Sequence, residues 1–330
     1  MDTFDTPPRS ATIECRSAGL DAAGRIVVTL PTFRRPEHLR KTLSSLVEQR
    51  LDERFTVIVM DNDAEGREGV AAARPFFEEG RLEGLVLVAH ERGNCSAYNA
   101  GWTTALGEFP QMDHLLVIDD DECAGPQWIE SLIATAARFD ADAVGGPQLP
   151  MFEGGSARLS RHPVFEPHYD ATGPVPILYS SGNVLLRRGL LEAMGPPFLD
   201  TAFNFIGGGD SDFYSRCQRK GFRFAWCAEA PVYETVPARR TEFSWLAARS
   251  TREGALSTII ERRRDGSFKG RLRRWAKSAA LLAASPFRAV KLGLETKSAT
   301  IGLYRIQVAI GRILGELGVV NEQYRQPERN

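Results

Sequence analysis

Three adjacent aspartates, Asp119, Asp120 and Asp121, directly follow an apolar run at residues 115–118. Neighbouring carboxylates repel one another, so the cluster costs stability unless water, hydrogen-bond donors or a cation offsets the repulsion. Carboxylate oxygens suit Mg²⁺ or Mn²⁺, which in turn bridges to phosphates. A solvated turn with one aspartate near a helix start is the alternative. The combination of the apolar run, the three acids and a predicted helix after them favours the metal and phosphate site.

The elements that must position this cluster alternate along the chain. Between residues 25 and about 150, short β-rich runs are separated by helical periods. The runs are RIVVTL (25–30), FTVIVMD (55–61), GLVLVAH (84–90), HLLVID (114–119) and DAVGGPQL (142–149). This alternation predicts a mostly parallel sheet covered by helices on both faces. Asp61 and the three aspartates then fall at the carboxyl ends of two strands, where open sheets bind ligands.

The connecting and later segments are also predicted from pattern. A helix should begin at Pro36, and two more should cover 96–106 and about 126–139. Residues 151–176 are rich in Gly and Pro without a period, which predicts a long surface loop, either functional or disordered. Further elements are a strand and a helix in 177–194, a Gly-rich turn, a helix and a strand in 207–227, and a helix over 244–264.

The composition describes a soluble globular protein with one large domain or two smaller ones. The 330 residues are 43% hydrophobic and 25% charged, with a net charge of -1. Five cysteines without a CxxC pair, and the lack of a secretory signal, predict reduced thiols in the cytosol. Residues 1–24 are predicted to form an N-terminal tail. No run approaches the roughly 20 apolar residues that span a bilayer.

The segment after the first predicted strand narrows the class of ligand. It reads TLPTFRRPEHL and contains neither a GxGxxG turn nor a GxxxxGK[ST] loop. This argues against dinucleotide oxidoreductases and P-loop NTPases. A nucleotidyltransferase, which would normally have a Gly-rich basic loop there, is a less favoured alternative. A nucleotide held by strand-end carboxylates and a metal suits a nucleotide-diphosphate sugar.

An ordered set of motifs carries a family resemblance over roughly residues 25–250. The motifs are VVTLPTFRRPEHLRKTLSSL, VIVMDNDAEG, HERGNCSAYNAG, LLVIDDDE, DAVGGPQLP, SSGNVLLRR and GGGDSDF. In this order they resemble family 2 glycosyltransferases of the GT-A fold, especially bacterial enzymes that build exopolysaccharide or lipopolysaccharide. The resemblance implies an α/β, Rossmann-like sheet with a nucleotide-binding half (25–150) and an acceptor and catalytic-base half (151–250). Residues 251–330 would form a helical C-terminal region.

The resemblance also implies an inverting transfer of one sugar from a nucleotide-diphosphate donor to a hydroxyl, commonly of a polyprenyl-linked glycan. The donor would contact Pro31, Thr32, Asp61, Tyr98, Asp119 and Asp120. Within this set, Asp61 would accept a hydrogen bond from the base, and Asp119 would contact the ribose. Asp121 would ligate Mg²⁺ or Mn²⁺, which neutralises negative charge that develops on the leaving diphosphate.

The catalytic base that the resemblance implies lies in GGGDSDF. Asp210 would accept the proton of the acceptor hydroxyl as this hydroxyl attacks the anomeric carbon. A carboxylate with an ordinary pKa near ~3.9 is ionised at neutral pH, as the role requires. Asp212 is the rival base. Either aspartate could instead only cap the helix that begins there.

Three positions depart from the family pattern. Tyr98 stands where an arginine is frequent, Gly209 where an acidic residue is usual, and Thr235 where a histidine is frequent. The loss of a phosphate-pairing cation and of a candidate metal ligand predicts weaker metal binding, compensation by Arg239 and Arg240, or lost activity. Lost activity would make the chain a catalytically silent protein that binds sugar nucleotides or glycans, which is the main alternative function.

Basic residues dominate the stretch 262–291, in which Asp265 is the only acid. Leu272, Trp275 and Ala279 can share one helix face, and a basic amphipathic helix is typical of contact with an anionic membrane surface. We therefore expect a peripheral location on the inner, cytoplasmic face of the membrane. A helical cap on the catalytic domain, or an oligomer interface, is the alternative. Nucleic acid is not an expected partner, because no recognised binding motif accompanies the charge.

Overall fold

The computed structural model describes residues 10–154 and 157–325. The strands are β1 (Ala11–Arg16), β2 (Ile26–Thr32), β3 (Thr56–Asp61), β4 (Gly84–Ala89), β5 (His114–Ile118), β6 (Glu122–Ala124), β7 (Ala143–Gly145), β8 (Gln148–Phe152), β9 (Gly173–Val175), β10 (Asn183–Arg187), β11 (Phe224–Trp226) and β12 (Val232–Val236). The helices are α1 (Pro36–Val47), α2 (Glu68–Glu78), α3 (Asn94–Glu108), α4 (Trp128–Arg138), α5 (Arg188–Met194), α6 (Gly209–Arg219), α7 (Phe243–Arg264), α8 (Phe268–Thr296), α9 (Ala299–Gly302) and α10 (Tyr304–Glu316).

The larger sheet is mostly parallel. In the described ranges it has nine strands, in the order β1-β4-β3-β2-β5-β10-β7-β11-β9. The strands β4, β3, β2 and β5 pair in parallel, and β7 and β11 point the same way. Strands β1, β9 and β10 run in the opposite direction. The predicted α/β class, with a mostly parallel sheet flanked by helices, is confirmed.

Burial on both faces explains why the strands read as continuous apolar runs. Every residue of β2, β3 and β4 is buried. One hydrophobic cluster joins one face of the sheet to α1, α2 and α4, and a second joins the other face to α3, α5 and α6. A parallel sheet covered on both sides has no polar face to alternate with an apolar one.

The prediction of a single strand over 142–149 is wrong, because the chain changes sheets at residues 146 and 147. Strand β7 belongs to the larger sheet, whereas β8 belongs to a smaller sheet with the order β6-β12-β8. Pro147 has no N–H to donate to a ladder. At Gly146, a β-carbon would lie 2.5 Å from the carbonyl oxygen of Ala230, so the backbone approaches too closely for a side chain.

The prediction of a tail over residues 1–24 is wrong for Ala11–Arg16. This segment is the edge strand β1, which pairs antiparallel with β4. Arg16 pairs with Glu108 at 2.8 Å, and the hydroxyl of Thr12 lies 2.8 Å from Nε2 of His90. A six-residue edge strand with mixed burial has too weak a pattern to stand out in the sequence. Residues 1–9 of the predicted tail lie outside the described residues.

The predicted surface loop at 151–176 is partly wrong. Strand β8 extends into it to Phe152, β9 lies near its end, and residues between them pack inward. His162 and Phe165 are buried, and Phe165 stacks on Trp245 of α7 with ring centroids 6.4 Å apart. The segment therefore joins the smaller sheet to the C-terminal helices.

The C-terminal helices pack on one another and on the rest of the fold. Helix α7 matches the helix predicted over 244–264, and α10 crosses it at backbone contact. A β-carbon at Gly311 would lie 1.9 Å from the carbonyl oxygen of Thr251, so only glycine permits this approach. Arg312 of α10 donates to Glu261 of α7 at 2.9 Å. In the described part of the chain, no helix combines the length and the apolar character needed to cross a bilayer.

Candidate active site

A cavity of about 930 Å³ lies at the carboxyl ends of β2 and β5. Pro31, Thr32 and the three aspartates after β5 line it on one side. Asp210, on the first turn of α6, lines it as well. The fold therefore brings together most of the residues that the sequence assigned to the donor and to the base.

Asp120 fastens two strand ends together. Its Oδ2 accepts a hydrogen bond from the hydroxyl of Thr32 at 2.8 Å, and its Oδ1 accepts one from Arg35 at 3.2 Å. The hydroxyl of Thr42 donates to its carbonyl oxygen at 2.9 Å. Burial raises the pKa of Asp120, and the guanidinium of Arg35 opposes that shift. Both carboxylate oxygens therefore have protein partners, which hold Asp120 in place as part of the cavity wall.

Asp121 has two arginines on one oxygen. Its Oδ2 accepts from Arg35 at 3.0 Å and from Arg240 at 3.4 Å. Arg240 also donates to Glu234 at 2.8 Å. Thr235, where the family pattern has a histidine, contributes its backbone N–H to the carbonyl oxygen of Asp121 at 2.8 Å. Arg240, one of the two arginines named as possible replacement cations, thus lies at the cavity wall, and compensation by it stays a prediction.

The side chains at this wall of the cavity determine whether a divalent cation fits there. The described residues contain no group of three or more His, Cys, Asp or Glu side chains that could hold a metal ion. Mg²⁺ is usually held by one or two carboxylates together with substrate phosphates and water. Asp121 is a carboxylate at the wall of a cavity that could accept a phosphate ligand, and it fits that mode. The residues therefore fit a metal whose other ligands come from a bound diphosphate.

The buried Tyr98 holds Asp119 through a hydrogen bond. The Tyr98 hydroxyl donates to Oδ1 of Asp119, and the backbone N–H of Asp119 donates to Oε2 of Glu122 at 2.9 Å. Burial, then repulsion from Asp121, raises the pKa of Asp119 to about 7. Tyr98 itself is fully buried, and its ring lies 5.6 Å from that of Trp102. Tyr98 thus contacts Asp119 and does not line the cavity, although the sequence assigned it to the donor.

Asp61 is also buried and does not line the cavity. It is 0% exposed, and its oxygens accept from the backbone N–H of Asp63 at 3.0 Å and of Val70 at 2.9 Å. Burial raises the pKa of Asp61. The neighbouring Asn62 reaches the cavity instead, and it accepts from the N–H of Gly93 at 2.7 Å. In this structure, Asp61 stabilises the start of α2, and its predicted bond to a base stays a prediction.

The two candidate bases have different surroundings. Asp210 lines the cavity, and its Oδ1 accepts from the backbone N–H of Ser211 at 2.7 Å. Asp212 is 4% exposed, and its Oδ2 accepts from Arg216 at 2.9 Å within the same helix. Burial raises the pKa of Asp210. The structure therefore places Asp210 where a substrate can reach it and places Asp212 in an ion pair.

Gly209, where the family pattern has an acid, lies against Cys95. A β-carbon at Gly209 would be 2.5 Å from the sulfur of Cys95, so no larger residue fits without movement. Gly207 and Gly208 before it have φ of 76° and 86°, a left-handed backbone that glycine adopts without strain. These three glycines present Asp210 at the cavity.

Several cavity residues were not predicted from the sequence. They are His168 of the segment predicted as a loop, Tyr179 just after it, Arg249 and Arg252 of α7, and Tyr324 beyond α10. No motif marks them. Arg249, Arg252 and Tyr324 come near Asp210 only when α7 and the last described residues pack beside α6. The C-terminal region, residues 251–330, thus supplies part of the wall through Arg252 and Tyr324.

Solved structures share this fold. The mannosyltransferase PcManGT from Pyrobaculum calidifontis, solved with GDP-Man and Mn²⁺, superposes with a TM-score of 0.55 at 19% identity, over 91% of this chain and 90% of that chain. S. aureus TarS 1-349 superposes with a TM-score of 0.51 at 13% identity, over 92% and 98%. Against the longer TarS chain, the match spans 55% of that chain. The sheet, the strand-end acids and these neighbours define a protein of the GT-A fold.

Sequence relatives then give the family. The model of Glycosyl transferase family 2 matches residues 27–195. The succinoglycan biosynthesis protein ExoM of Rhizobium meliloti is 34% identical over 231 residues, which are 68% of this chain and 71% of that protein. The glucosyl-dolichyl phosphate glucuronosyltransferase of Haloferax volcanii is 27% identical over 259 residues, 72% of this chain and 76% of that protein. The chain belongs to glycosyl transferase family 2, as its motifs predicted.

Proposed function

We propose that the protein is an inverting, metal-dependent glycosyltransferase that moves one sugar from a nucleotide-diphosphate donor to a hydroxyl of a lipid-linked glycan. The observation that carries the proposal is one cavity whose wall includes both Asp121, with its arginines Arg35 and Arg240, and Asp210. The first group suits a diphosphate and the second suits a hydroxyl to be deprotonated. Family membership supports glycosyl transfer as the reaction.

The charged groups beside Asp121 support binding of the donor diphosphate at this end of the cavity. Guanidinium groups bind phosphate oxygens through paired N–H donors, and Arg35 and Arg240 both lie beside Asp121. Mg²⁺ or Mn²⁺ held by Asp121 and the diphosphate would neutralise charge on the leaving group. The neighbour from Pyrobaculum calidifontis was solved with GDP-Man and Mn²⁺, which supports a similar donor and metal here.

Asp210 supports binding of the acceptor hydroxyl at the other end of the cavity. Its carboxylate takes the proton of the acceptor hydroxyl while the hydroxyl oxygen bonds to the anomeric carbon. The bond from that carbon to the diphosphate breaks on the opposite side, so the configuration inverts and the nucleoside diphosphate leaves. Asp212 has a weaker claim to this role, because Arg216 already occupies its carboxylate.

A lipid-linked acceptor and a membrane location are supported by relatives and by α8. The name of the Haloferax volcanii relative specifies a dolichyl phosphate acceptor, and ExoM serves succinoglycan biosynthesis. An exposed apolar stripe runs along α8 at helical spacing, and its large members are Phe268, Leu272, Phe287, Val290 and Leu294. Exposed basic residues lie on the same helix, namely Lys269, Arg271, Arg273, Arg288 and Lys291. Such a helix suits an anionic, peripheral membrane contact on the cytoplasmic face.

The proposal is tested by comparing Asp210→Asn with Asp212→Asn. Labelled nucleotide sugars are incubated with purified protein and a bacterial lipid extract, and the label in the lipid fraction is counted. Asp210→Asn should lower transfer by about 10²-fold or more, because general base catalysis is lost. Asp212→Asn should lower it far less, and both variants should still bind the nucleoside diphosphate.

Two outcomes count against the proposal. Transfer by Asp210→Asn at the wild-type rate would refute the role of the base. A wild-type protein that binds a nucleoside diphosphate but transfers no label from any donor would favour the catalytically silent binding protein.

A further inference from the structure

A second pair of basic residues lines the cavity on the side of α7. Arg249 and Arg252 both reach the wall, and Arg252 is 2% exposed. A β-carbon at Gly207 would lie 3.7 Å from Cζ of Arg252, so the guanidinium lies against the glycine loop. That loop leads directly into Asp210, where burial raises the pKa and the charge of Arg249 partly opposes the rise. The two arginines therefore belong to the end of the cavity that holds the proposed base.

Arg252 is a buried cation without an anionic partner among the described residues. In the described part of the chain, its Nε and Nη1 have no hydrogen-bond partner, and Nη2 donates to the hydroxyl of Tyr324 at 3.3 Å. Two acids of α7 line the same cavity, but Glu253 accepts from Arg249 and Glu261 accepts from α10. Burial of an uncompensated charge is strongly unfavourable. A guanidinium retained in this setting at a cavity wall indicates that its anion comes from a ligand.

Tyr324 occupies the position between the two arginines. Its hydroxyl accepts from Arg249 at 2.9 Å and from Arg252 at 3.3 Å, and its ring centroid is 4.6 Å from Cζ of Arg252. Tyr324 lies beyond α10 in an exposed segment, and its backbone N–H donates to the carbonyl oxygen of Phe205 at 3.1 Å. The next residue, Arg325, also holds the segment: its carbonyl oxygen accepts from Arg92 at 2.6 Å, and its guanidinium lies 4.9 Å from the ring of Phe205. A phosphate oxygen accepts bonds from guanidinium groups more strongly than a neutral phenol does, because it carries charge.

We infer that Arg249 and Arg252 form an anion subsite for the phosphate that joins the acceptor glycan to its lipid carrier, and that this phosphate displaces the Tyr324 hydroxyl. The inference rests on the proposed function, because this end of the cavity belongs to the acceptor only if Asp210 is the base. The donor diphosphate is assigned to Asp121 and its own arginines. The carboxylate of an acidic sugar offers similar charge, so the test includes it.

Binding is measured on the full chain after its nucleotide site has been saturated with a nucleoside diphosphate. The probes are farnesyl diphosphate, inorganic diphosphate and methyl glucuronide, which present a lipid-bound phosphate, a free phosphate and a sugar carboxylate. Arg252→Gln should weaken farnesyl diphosphate binding about tenfold or more, since charge-assisted hydrogen bonds are lost. Nucleotide affinity should not change. Arg262→Gln, an exposed arginine of the same helix, is the matched control and should alter neither affinity.

Two further variants separate binding from folding. Arg252→Met should unfold at the wild-type temperature or higher, because it removes a buried charge that has no acidic partner among the described residues. Tyr324→Phe should bind farnesyl diphosphate more tightly, because the competing hydroxyl is gone. Weaker binding by Tyr324→Phe would overturn the displacement.

Equal affinity of wild type and Arg252→Gln for farnesyl diphosphate would overturn the subsite. A larger effect of the substitution on inorganic diphosphate or methyl glucuronide than on farnesyl diphosphate would overturn the assignment to a lipid phosphate. If the wild type binds no nucleotide, the proposed function fails. The effect of Arg252→Gln on farnesyl diphosphate alone would then still decide whether the anion subsite exists.

Discussion

At the scale of residues, the two ends of the cavity differ in how their carboxylates are stabilised. Burial and then the like charge of Asp121 raise the pKa of Asp119 to about 7, and the hydrogen bond from the neutral phenol of Tyr98 only partly opposes this rise. Asp210 has the backbone N–H of Ser211 and the more distant charge of Arg249, which oppose the rise in pKa that burial causes. An aspartate with a raised pKa is a stronger base than one in water, provided that it is ionised at the working pH.

The raised pKa of Asp210 predicts a shifted pH profile. The base must be ionised, so transfer should be lost as pH falls through a pKa that lies above the ordinary ~3.9 of aspartate. The measurement is kcat/KM for transfer across the acidic range. The dissociation constant of the nucleoside diphosphate over the same range reports titration at the donor end and serves as the control. An acid limb at or below the ordinary aspartate value would contradict this assignment.

At the scale of elements, the C-terminal helices are fixed by close approach and by buried ion pairs. The contact of Gly311 with the backbone of α7 sets the distance between α7 and α10. Arg312 reinforces it through Glu261, and α7 in turn carries Arg249 and Arg252 to the cavity. A change in the packing of α10 should therefore shift Arg249 and Arg252 at the cavity wall beside Asp210.

Gly311→Ala should destabilise the fold by about 1–3 kcal/mol, because its β-carbon would overlap the carbonyl of Thr251. Gly107→Ala in α3 is the matched control, since a β-carbon there has no neighbour within 4 Å. The control should be stabilised by about 0.4–1 kcal/mol, because alanine restricts the unfolded chain. Urea unfolding measures both. Equal stability of Gly311→Ala and wild type would refute the close packing.

The apolar stripe of α8 predicts binding to anionic membranes. Phe287 is 81% exposed in the stripe, so Phe287→Glu should weaken cosedimentation with phosphatidylglycerol-containing vesicles by removing apolar contact and adding repulsion. Met151→Glu, which changes an exposed apolar residue of β8, is the control and should bind as wild type does. Binding that is unaffected by Phe287→Glu would show that α8 does not face the membrane.

At the scale of the whole molecule, the sequence predicted the parts of the fold that repeat a period. The buried strands β2 to β5 and the helix α7 lie where apolar runs and helical spacing placed them. The carboxyl ends of parallel strands share one edge, so the gathering of Thr32 with the aspartates after β5 also followed from the sequence.

The sequence could not predict the directions of individual side chains or the contacts between segments that are far apart in the chain. Asp61 ends a strand as expected, but its carboxylate turns to backbone N–H groups of α2 and away from the cavity. Tyr98 supports Asp119 from behind the wall, which spacing alone does not reveal. Arg252 and Tyr324 come from a region without a motif, and only the packing of α7 beside α6 brings them near Asp210.

The measurement that tests the central claim most directly is thermal unfolding with UDP, GDP, dTDP or CDP, each with and without Mn²⁺. Wild type is compared with Asp121→Ala and with the control Asp52→Ala, an exposed acid outside the cavity wall. A ligand at a hundredfold excess over its Kd stabilises the native state by about 2.7 kcal/mol. We predict a rise in Tm with one nucleotide and Mn²⁺ that persists in Asp52→Ala and disappears in Asp121→Ala. No rise with any nucleotide, or an undiminished rise in Asp121→Ala, would contradict a donor held at Asp121.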